Sequence, residues 1–163
     1  MKHFYLSISL TLLSFSMAFA QKPVLKFNEQ GKFKIIQITD THYIFGNPKS
    51  DVATALLEEV IAAEKPDLLV FTGDMIWNNE KTAPALDALF APVIKSKTPW
   101  AYVFGNHDDE ADMSRTQIME YVSQMPYCIA EKGDQYLSGV GNYALEVRDV
   151  KDAKVSAVLY CLD

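Results

Sequence analysis

An imidazole stands among carboxylates directly after an apolar run in the sequence VFGNHDDE, residues 103–110. His107 follows Asn106 and precedes Asp108, Asp109 and Glu110, so one short stretch offers a ring nitrogen, an amide oxygen and several carboxylate oxygens. Imidazole and carboxylate groups are the protein ligands of zinc, iron and manganese. The stretch suggests a metal site, while a solvated turn remains the alternative that uses the same residue types.

Two further polar clusters follow apolar runs, TDTH at residues 39–42 and TGD at residues 72–74. Asp40 and His42 are two residues apart, so they point to the same side if the strand geometry continues, and one cation could bind both. Asp74 could bridge that cation to a second one, to which Asn106 offers an amide oxygen. Two-metal phosphoryl chemistry needs cations about 3.5–4 Å apart, and a bridging carboxylate is one way to hold that distance.

Three β-rich apolar stretches precede these clusters and predict the strands that position them. They are FKIIQIT at residues 33–39, LLVF at 68–71 and WAYVF at 100–104. Continuous apolar runs of this kind are typical of central strands in a parallel sheet that is covered on both faces. Because ligands of open α/β sheets bind outside the carboxyl ends of the strands, we expect the three clusters to lie together at that edge.

Helical patterns separate the predicted strands. The stretch DVATALLEEVIAAEK has apolar residues at helical spacing, with Ser50 or Asp51 available as N-cap and Pro66 closing the helix. Thr82 is predicted to cap a second helix, which Pro92 would kink or bring to the end of its regular part. Strand, helix, strand, helix, strand with short connections indicates βαβ units and an α/β fold.

The last third of the chain has a different pattern. Ser114 and Gln117 form a capping box for a third helix that is expected to end near Gln124. After it, NYALEVRD and KVSAVLYCLD read as two strands joined by a charged turn around Lys151 and Asp152, which predicts a β-hairpin. The sequence thus predicts a mostly parallel sheet followed by a C-terminal hairpin.

The clusters DTH, GD and GNHD together resemble the first three motifs of the calcineurin-like metallophosphoesterase superfamily, to which the purple acid phosphatases belong. The tail GVGNYALEV with LYCLD is similar to a purple acid phosphatase-like subgroup. The resemblance implies a four-layer α/β/β/α sandwich with the metals where its two halves meet. This chain would supply the N-terminal half of that sandwich, so that its phosphoesterase domain, residues 21–163, would be incomplete.

The resemblance also implies roles for the residues of the three motifs. His107 would be the acid that assists the leaving oxygen, and Asp108 would be hydrogen-bonded to the other nitrogen of the His107 ring. A metal-activated hydroxide would attack the phosphorus of a phosphate ester between two metal ions. The implied metal ligands are Asp40 and His42 on the first ion, Asp74 as the bridge, and Asn106 on the second ion.

Two departures from the family pattern limit what the resemblance implies. Trp77 stands three residues after the implied bridging Asp74, where purple acid phosphatases have a tyrosinate, so the two divalent or trivalent ions could be iron, manganese or zinc. The family's remaining motifs supply three more histidines. The chain has three histidines in all, His3, His42 and His107, and none follows His107. These residues alone do not complete a dinuclear site.

The sequence therefore leaves two classes of function open. One is a phosphoric ester hydrolase of which this chain is the N-terminal part, inactive by itself. The other is a truncated or non-catalytic module of the same fold that binds a partner or a single metal ion. A subunit whose missing ligands come from another chain is a third reading. The net charge of −6 disfavours non-specific binding to nucleic acid, and no nucleic-acid-binding surface is evident.

The first twenty residues read as a secretory signal peptide. Lys2 supplies the positive region, residues 4–15 the apolar region, and Ala18-Phe19-Ala20 a cleavage site before Gln21. We expect an exported protein, periplasmic or secreted, with no stable membrane anchor after cleavage. Export makes a disulfide between Cys128 and Cys161 chemically possible, but the apolar surroundings of Cys161 favour small core residues.

Three expectations concern surfaces around the motifs. Three acids follow the third motif: Asp109, Glu110 and Asp112. We expect them to form a solvated acidic run, which suits the N-terminal end of the next helix. Three aromatic residues lie near the motifs: Tyr43, Phe45 and Trp77. Packing is the commoner role of such residues, and lining a substrate groove is the alternative. A half-domain is also expected to expose an apolar face.

Overall fold

The chain alternates strands and helices over most of its length in a computed structural model, which describes residues 22–163. The predicted signal peptide, residues 1–20, lies outside the described residues. The elements in chain order are β1 Leu25–Lys26, β2 Ile35–Ile38, α1 Asp51–Glu64, β3 Leu68–Thr72, α2 Thr82–Ser96, β4 Trp100–Val103, α3 Arg115–Val122, β5 Tyr143–Arg148 and β6 Val155–Cys161.

The three predicted strands form one parallel sheet in the order β2-β3-β4. This confirms the α/β class and the prediction that the carboxyl ends of these strands share an edge. The expectation of three central strands is only partly right, because β3 alone lies between two neighbours in the described residues. Burial follows this order: β4 is buried throughout, whereas Ile35 in β2 is 40% exposed.

A second three-stranded sheet has the order β1-β5-β6. Its β5 and β6 pair antiparallel, which confirms the predicted C-terminal hairpin. The strand β1 pairs parallel with β5 and was not predicted, since two residues are too few to show a period. Together the parallel sheet and the strand pair are consistent with the N-terminal half of a metallophosphoesterase fold.

Aromatic side chains join the parallel sheet to α2. The Phe90 ring stacks on Trp100 at a centroid distance of 4.4 Å, and Phe71 meets both rings edge-on at 4.9 Å and 5.9 Å. These three side chains are fully buried. Aromatic pairs at such distances stabilise a core beyond the apolar area that they bury. The result is a rigid base under the carboxyl ends of β3 and β4.

Helix starts agree with the sequence in one case and differ in two. The capping box of Ser114 and Gln117 is present at α3, as predicted. Thr82 does not cap α2 but is its first residue, and the Asp112 carboxylate accepts the hydrogen bond of its backbone N–H at 2.8 Å. Ser50 precedes α1 without a cap hydrogen bond, because its hydroxyl accepts from the Ile44 N–H instead. At α1 the Ser50 hydroxyl is taken by Ile44, six residues earlier, whereas at α2 a carboxylate thirty residues away binds the first helical N–H.

The two sheets meet at a buried tyrosine. The Tyr143 hydroxyl on β5 accepts a hydrogen bond from the Tyr102 N–H at 3.1 Å and donates one to the Tyr102 carbonyl at 2.8 Å. Burial raises the pKa of Tyr143 well above its usual value, which keeps the donor proton in place. Cys128 and Cys161 are both buried and unbridged, in agreement with the predicted core role.

Apolar side chains remain exposed on two elements. Val52 and Leu56 lie on the outer face of α1, and β6 exposes Val155, Val158 and Tyr160. An exposed apolar face was predicted for a half-domain, and these positions agree with it. None of the helices in residues 22–163 has the length and apolar character needed to cross a bilayer.

Two leucine substitutions test this packing. Leu86→Ala removes a fully buried side chain of α2 and should lower the free energy of unfolding by about 2–5 kcal/mol, because a cavity remains. Leu56→Ala in α1 removes a side chain that is 58% exposed and should change it by less than about 0.5 kcal/mol. Urea denaturation followed by circular dichroism measures both. Equal losses in the two variants would contradict the described packing.

Candidate metal centre

Two glycines bring the loops after β3 and β4 into backbone contact. A Cβ atom placed on Gly73 would lie 2.3 Å from the Gly105 nitrogen, and one placed on Gly105 would lie 2.1 Å from Asp74 Oδ1. No side chain larger than hydrogen fits at such distances. Gly73 also has a φ of +96°, which glycine adopts without strain. The glycines of two motifs are therefore required by the close approach of the two loops.

The carboxylate of Asp108 binds these two loops together. Its Oδ2 accepts hydrogen bonds from the Gly105 N–H at 2.8 Å and the Asp74 N–H at 2.9 Å. Its Oδ1 accepts from the N–H groups of Met75 at 2.7 Å and Ile76 at 3.3 Å. The side chain is fully buried, so four backbone donors replace its water.

Three side chains at this edge could hold a metal ion. His42, Asp74 and His107 each offer one ligand atom, and these three atoms lie within 4.8 Å of one another. The group lies where the chain leaves β2, β3 and β4, as the sequence predicted for its polar clusters. All three residues are partly buried. Two imidazole nitrogens and one carboxylate oxygen suit zinc, iron or manganese.

Hydrogen bonds orient both imidazole rings. His42 Nδ1 lies 3.2 Å from the Asp40 carbonyl oxygen, and His107 Nδ1 lies 2.8 Å from Glu110 Oε1. When Nδ1 donates to these acceptors, Nε2 of each ring is left with a lone pair for a metal ion. His42 Nε2 is 3.9 Å from Asp74 Oδ2. The hydrogen bond with Glu110 also raises the pKa of His107 above its usual value.

The structure places Asp40 differently from the sequence-based reasoning. The strand β2 ends at Ile38, and Asp40 and His42 have φ values of +57° and +44°, so the assumed strand geometry does not continue. The Asp40 carboxylate accepts the hydrogen bond of the Thr39 hydroxyl and lies outside the group of three. Left-handed backbone at non-glycine residues is uncommon and often marks functional sites.

Asn106 and Asp108 also differ from expectation in their surroundings. The Asn106 side chain is exposed on the loop that carries His107. The expected hydrogen bond between Asp108 and the His107 ring is absent, because both Asp108 oxygens face backbone amides and Glu110 takes the ring nitrogen. His107, expected as the acid, stands beside His42 and Asp74, so its ring is also within reach as a third possible ligand.

The acids after the third motif are exposed, as predicted for a solvated run, but each also has a defined partner. Glu110 binds the His107 ring, Asp112 accepts from the start of α2, and Asp109 lies 3.4 Å from the Arg115 guanidinium. The spacing of His107 and Glu110, three residues, was the available sequence signal for that pair. For Asp112 the partner is thirty residues away, and no sequence pattern indicates it.

Arg115 was also missed by the sequence reasoning. Its guanidinium donates to the Gly105 carbonyl at 2.6 Å and lies 5.2 Å from the centre of the Phe104 ring. It also pairs with the carboxylate of Asp163, which in turn accepts the Val140 N–H. Arg115 thus fixes the backbone of the metal loop to the end of β6, a contact that only the folded chain creates.

Comparison with known families gives this geometry a context. A family model described as calcineurin-like phosphoesterase matches residues 33–154, which include both loops of the centre. The chain belongs to the calcineurin-like phosphoesterase family. This confirms the resemblance carried by the three motifs.

Relatives within the family include enzymes and proteins named as inactive. The chain is 35% identical to the probable inactive purple acid phosphatase 29 of Arabidopsis thaliana, over 93% of this chain and 44% of that protein. It is 36% identical to the phosphatase DCR2 of Saccharomyces cerevisiae, over 85% of this chain and 28% of that protein. A cAMP/cGMP dual specificity phosphodiesterase of Mycobacterium tuberculosis is 31% identical, over 58% of this chain and 33% of that protein. The chain spans less than half the length of the first two relatives.

Members of the family typically bind two divalent metal ions. The donors of His42, Asp74 and His107 fit one such ion by their chemistry. The described part of the chain holds no third histidine, and its two cysteines are buried away as core residues. The residues present therefore fit one ion well, whereas a second ion would depend on Asn106 and on further ligands.

Asp108→Asn tests the carboxylate that holds the loops. The amide turns one acceptor into a donor that faces backbone N–H groups, so we expect a loss of about 3 kcal/mol in the free energy of unfolding, together with weaker metal binding. Asp109→Asn, a matched change at the next residue, alters a single 3.4 Å ion pair and should cost less than about 1 kcal/mol. Chemical denaturation and metal titration give both values. Equal effects would refute the role of Asp108.

Proposed function

We propose that the chain is the metal-binding N-terminal part of a hydrolase that cleaves phosphate esters. The observation that carries the proposal is the group of His42, Asp74 and His107 at the strand edge of a calcineurin-like phosphoesterase domain. Asp108 holds the two loops under this group with four backbone hydrogen bonds. A pre-formed, rigid set of ligands is what metal-assisted hydrolysis requires of the protein.

In this proposal the residues of the chain would have the following roles. His42 and Asp74 would hold the first ion, with Asp40 beside them, and Asp74 and Asn106 would be available to the second. In this arrangement His107 would act as the acid and not as a ligand: its imidazolium form would give the Nε2 proton to the leaving oxygen, while Glu110 keeps the ring oriented through Nδ1. When bound, the ions polarise the phosphoryl group and make a water molecule acidic enough to attack it.

A single-ion, non-catalytic module is the second candidate. It is favoured by the two histidines of the described residues, which with Asp74 form one set of three donors. The relative from Arabidopsis thaliana that is named as probably inactive agrees with this candidate. In a third candidate, the missing metal ligands would come from another chain. The number of ions bound per chain separates the first two candidates.

The substrate and location belong to the proposal as well. We infer a phosphate-ester substrate, because the family consists of phosphoesterases. No nucleic-acid-binding surface is evident in the sequence, and no stable membrane anchor would remain after signal cleavage. Residues 1–20 would direct export to the periplasm or the medium, which leaves residues 21–163 as the phosphoesterase part. Manganese, zinc and iron are the metals to test first, since all three accept imidazole and carboxylate ligands.

Metal titration of ligand variants tests the proposed ligands. We expect His42→Ala and Asp40→Ala each to weaken manganese or zinc binding by roughly tenfold or more, because each removes a donor. Asp134→Ala is the matched control, since this exposed carboxylate only accepts a hydrogen bond within its own turn. Isothermal titration calorimetry gives affinity and stoichiometry. Unchanged binding in Asp40→Ala, with loss in His42→Ala, would support the single-ion module.

The intact mass of the naturally produced protein and its activity test the function itself. A mass well above 18.3 kDa would show that the reading frame continues past Asp163, where further ligands should then be sought. We expect that natural product, loaded with metal, to hydrolyse 4-nitrophenyl phosphate or its diester, and to lose at least about a hundredfold in rate in His107→Ala. A loaded protein with one ion per chain and no hydrolysis would contradict the enzyme and favour the binding module.

A further inference from the structure

Two large aromatic side chains are exposed at the edge that carries the candidate metal centre. Trp77 is 44% exposed and Phe45 is 57% exposed. Burial of such a ring against the core is strongly favourable, so an aromatic pair left in water beside a functional site calls for an explanation. The sequence alone left their role open between packing and the lining of a substrate groove. Their exposure argues against packing.

Trp77 lies beside both histidines of the centre. The centroid of its ring is 6.1 Å from that of His42 and 6.3 Å from that of His107, and the two imidazole rings are 5.5 Å apart. The contacts are edge-to-face, with interplanar angles of 89° and 70°. The indole is therefore within reach of a group attached to a phosphate at the centre.

The loop that presents Trp77 is fixed by a single asparagine. Asn79 Nδ2 donates to the Trp77 carbonyl at 3.0 Å and to the Tyr43 carbonyl at 2.8 Å, and its Oδ1 accepts from the Phe45 N–H at 2.8 Å. Tyr43 and Ile76 also form a bridge between the two loops. The aromatic residues are thus held in place before any ligand arrives, which lowers the entropic cost of binding.

The charged groups around the centre favour a substrate without a second anionic group. The Glu110 carboxylate on the His107 ring and the Asp40 carboxylate, two residues before His42, add negative charge near the centre. Arg115, the guanidinium that contacts the metal loop, is already paired with Asp163 and Asp109. Lys81 pairs with Asp112. The part of the substrate beyond its phosphate should therefore be neutral and should gain its affinity from the exposed aromatic surface.

We propose that Trp77 determines specificity by stacking on an aryl leaving group, so that the preferred substrates are aryl phosphates. This inference rests on the proposed function, in which His107 faces the leaving oxygen. A ring bonded directly to that oxygen lies within reach of an indole whose centre is 6.3 Å from the imidazole. In a nucleotide the ribose places the base several bonds further away, which makes that class the weaker fit.

Two phosphonates that cannot be hydrolysed test the proposal. Benzylphosphonate resembles phenyl phosphate with CH2 in place of the ester oxygen, and ethylphosphonate lacks the ring. The protein is produced from its complete natural reading frame, loaded with manganese and titrated with each compound. We expect benzylphosphonate to bind roughly three- to tenfold more tightly than ethylphosphonate, which corresponds to one aromatic pair.

Intrinsic fluorescence gives a second readout. The chain as given has two tryptophans, and Trp100 is fully buried whereas Trp77 is exposed. Acrylamide should therefore quench mainly Trp77 within this chain, and benzylphosphonate should protect it while ethylphosphonate should not. Trp77→Phe keeps a ring and should keep most of the preference. Trp77→Ala should abolish the preference and leave ethylphosphonate binding unchanged.

Each remaining outcome would overturn the inference. Equal binding of the two phosphonates, or an equal loss of both in Trp77→Ala, would mean that the indole only supports the histidines, and the proposed function would stand. Binding of neither phosphonate by the metal-loaded protein would overturn the proposed function as well. Adenosine 5′-monophosphate that binds more tightly than benzylphosphonate and depends on Trp77 would replace the aryl class by nucleotides.

Discussion

The buried carboxylate of Asp108 is the interaction on which the candidate centre depends. It gathers the N–H groups of Asp74, Met75, Ile76 and Gly105, which belong to two loops that leave different strands. A buried charge is stable only when such donors replace its water. Because the same loops carry Asp74 and His107, the position of two possible metal ligands is set by a residue that is not itself among the three.

Around the Asp108 carboxylate, one set of residues supports the loops and another set is exposed at the candidate centre. The glycines Gly73 and Gly105 allow the loops to touch, and Arg115 ties the second loop to the far end of the hairpin. Tyr143 joins the two sheets below, where no solvent competes for its hydrogen bonds. His42, His107 and Trp77 remain at least partly exposed at the same edge.

Strained backbone and exposed apolar side chains lie together at the edge that carries the candidate centre. Asp40, His42 and Asp74 all adopt left-handed backbone angles, which cost of order 1 kcal/mol each and persist only where the surroundings over-determine them. Backbone hydrogen bonds hold them: the Asp40 N–H donates to the Gly73 carbonyl and the His42 N–H to the Asp74 carbonyl, while Asp108 accepts the Asp74 N–H. The group of possible ligands and the exposed aromatic side chains thus lie together at one edge of a calcineurin-like phosphoesterase domain.

The sequence by itself determined the family, the α/β class, the hairpin and the edge at which the polar clusters gather, because these follow from periodicity and from short motifs. It also found the capping box of Ser114, a contact across three residues. Only the tertiary structure decided that Asp108 binds backbone amides, that Glu110 orients His107, and that Asp112 caps α2. These hydrogen-bond partners depend on which acceptor lies nearest to each donor after distant loops have packed together. That proximity cannot be read from the local sequence.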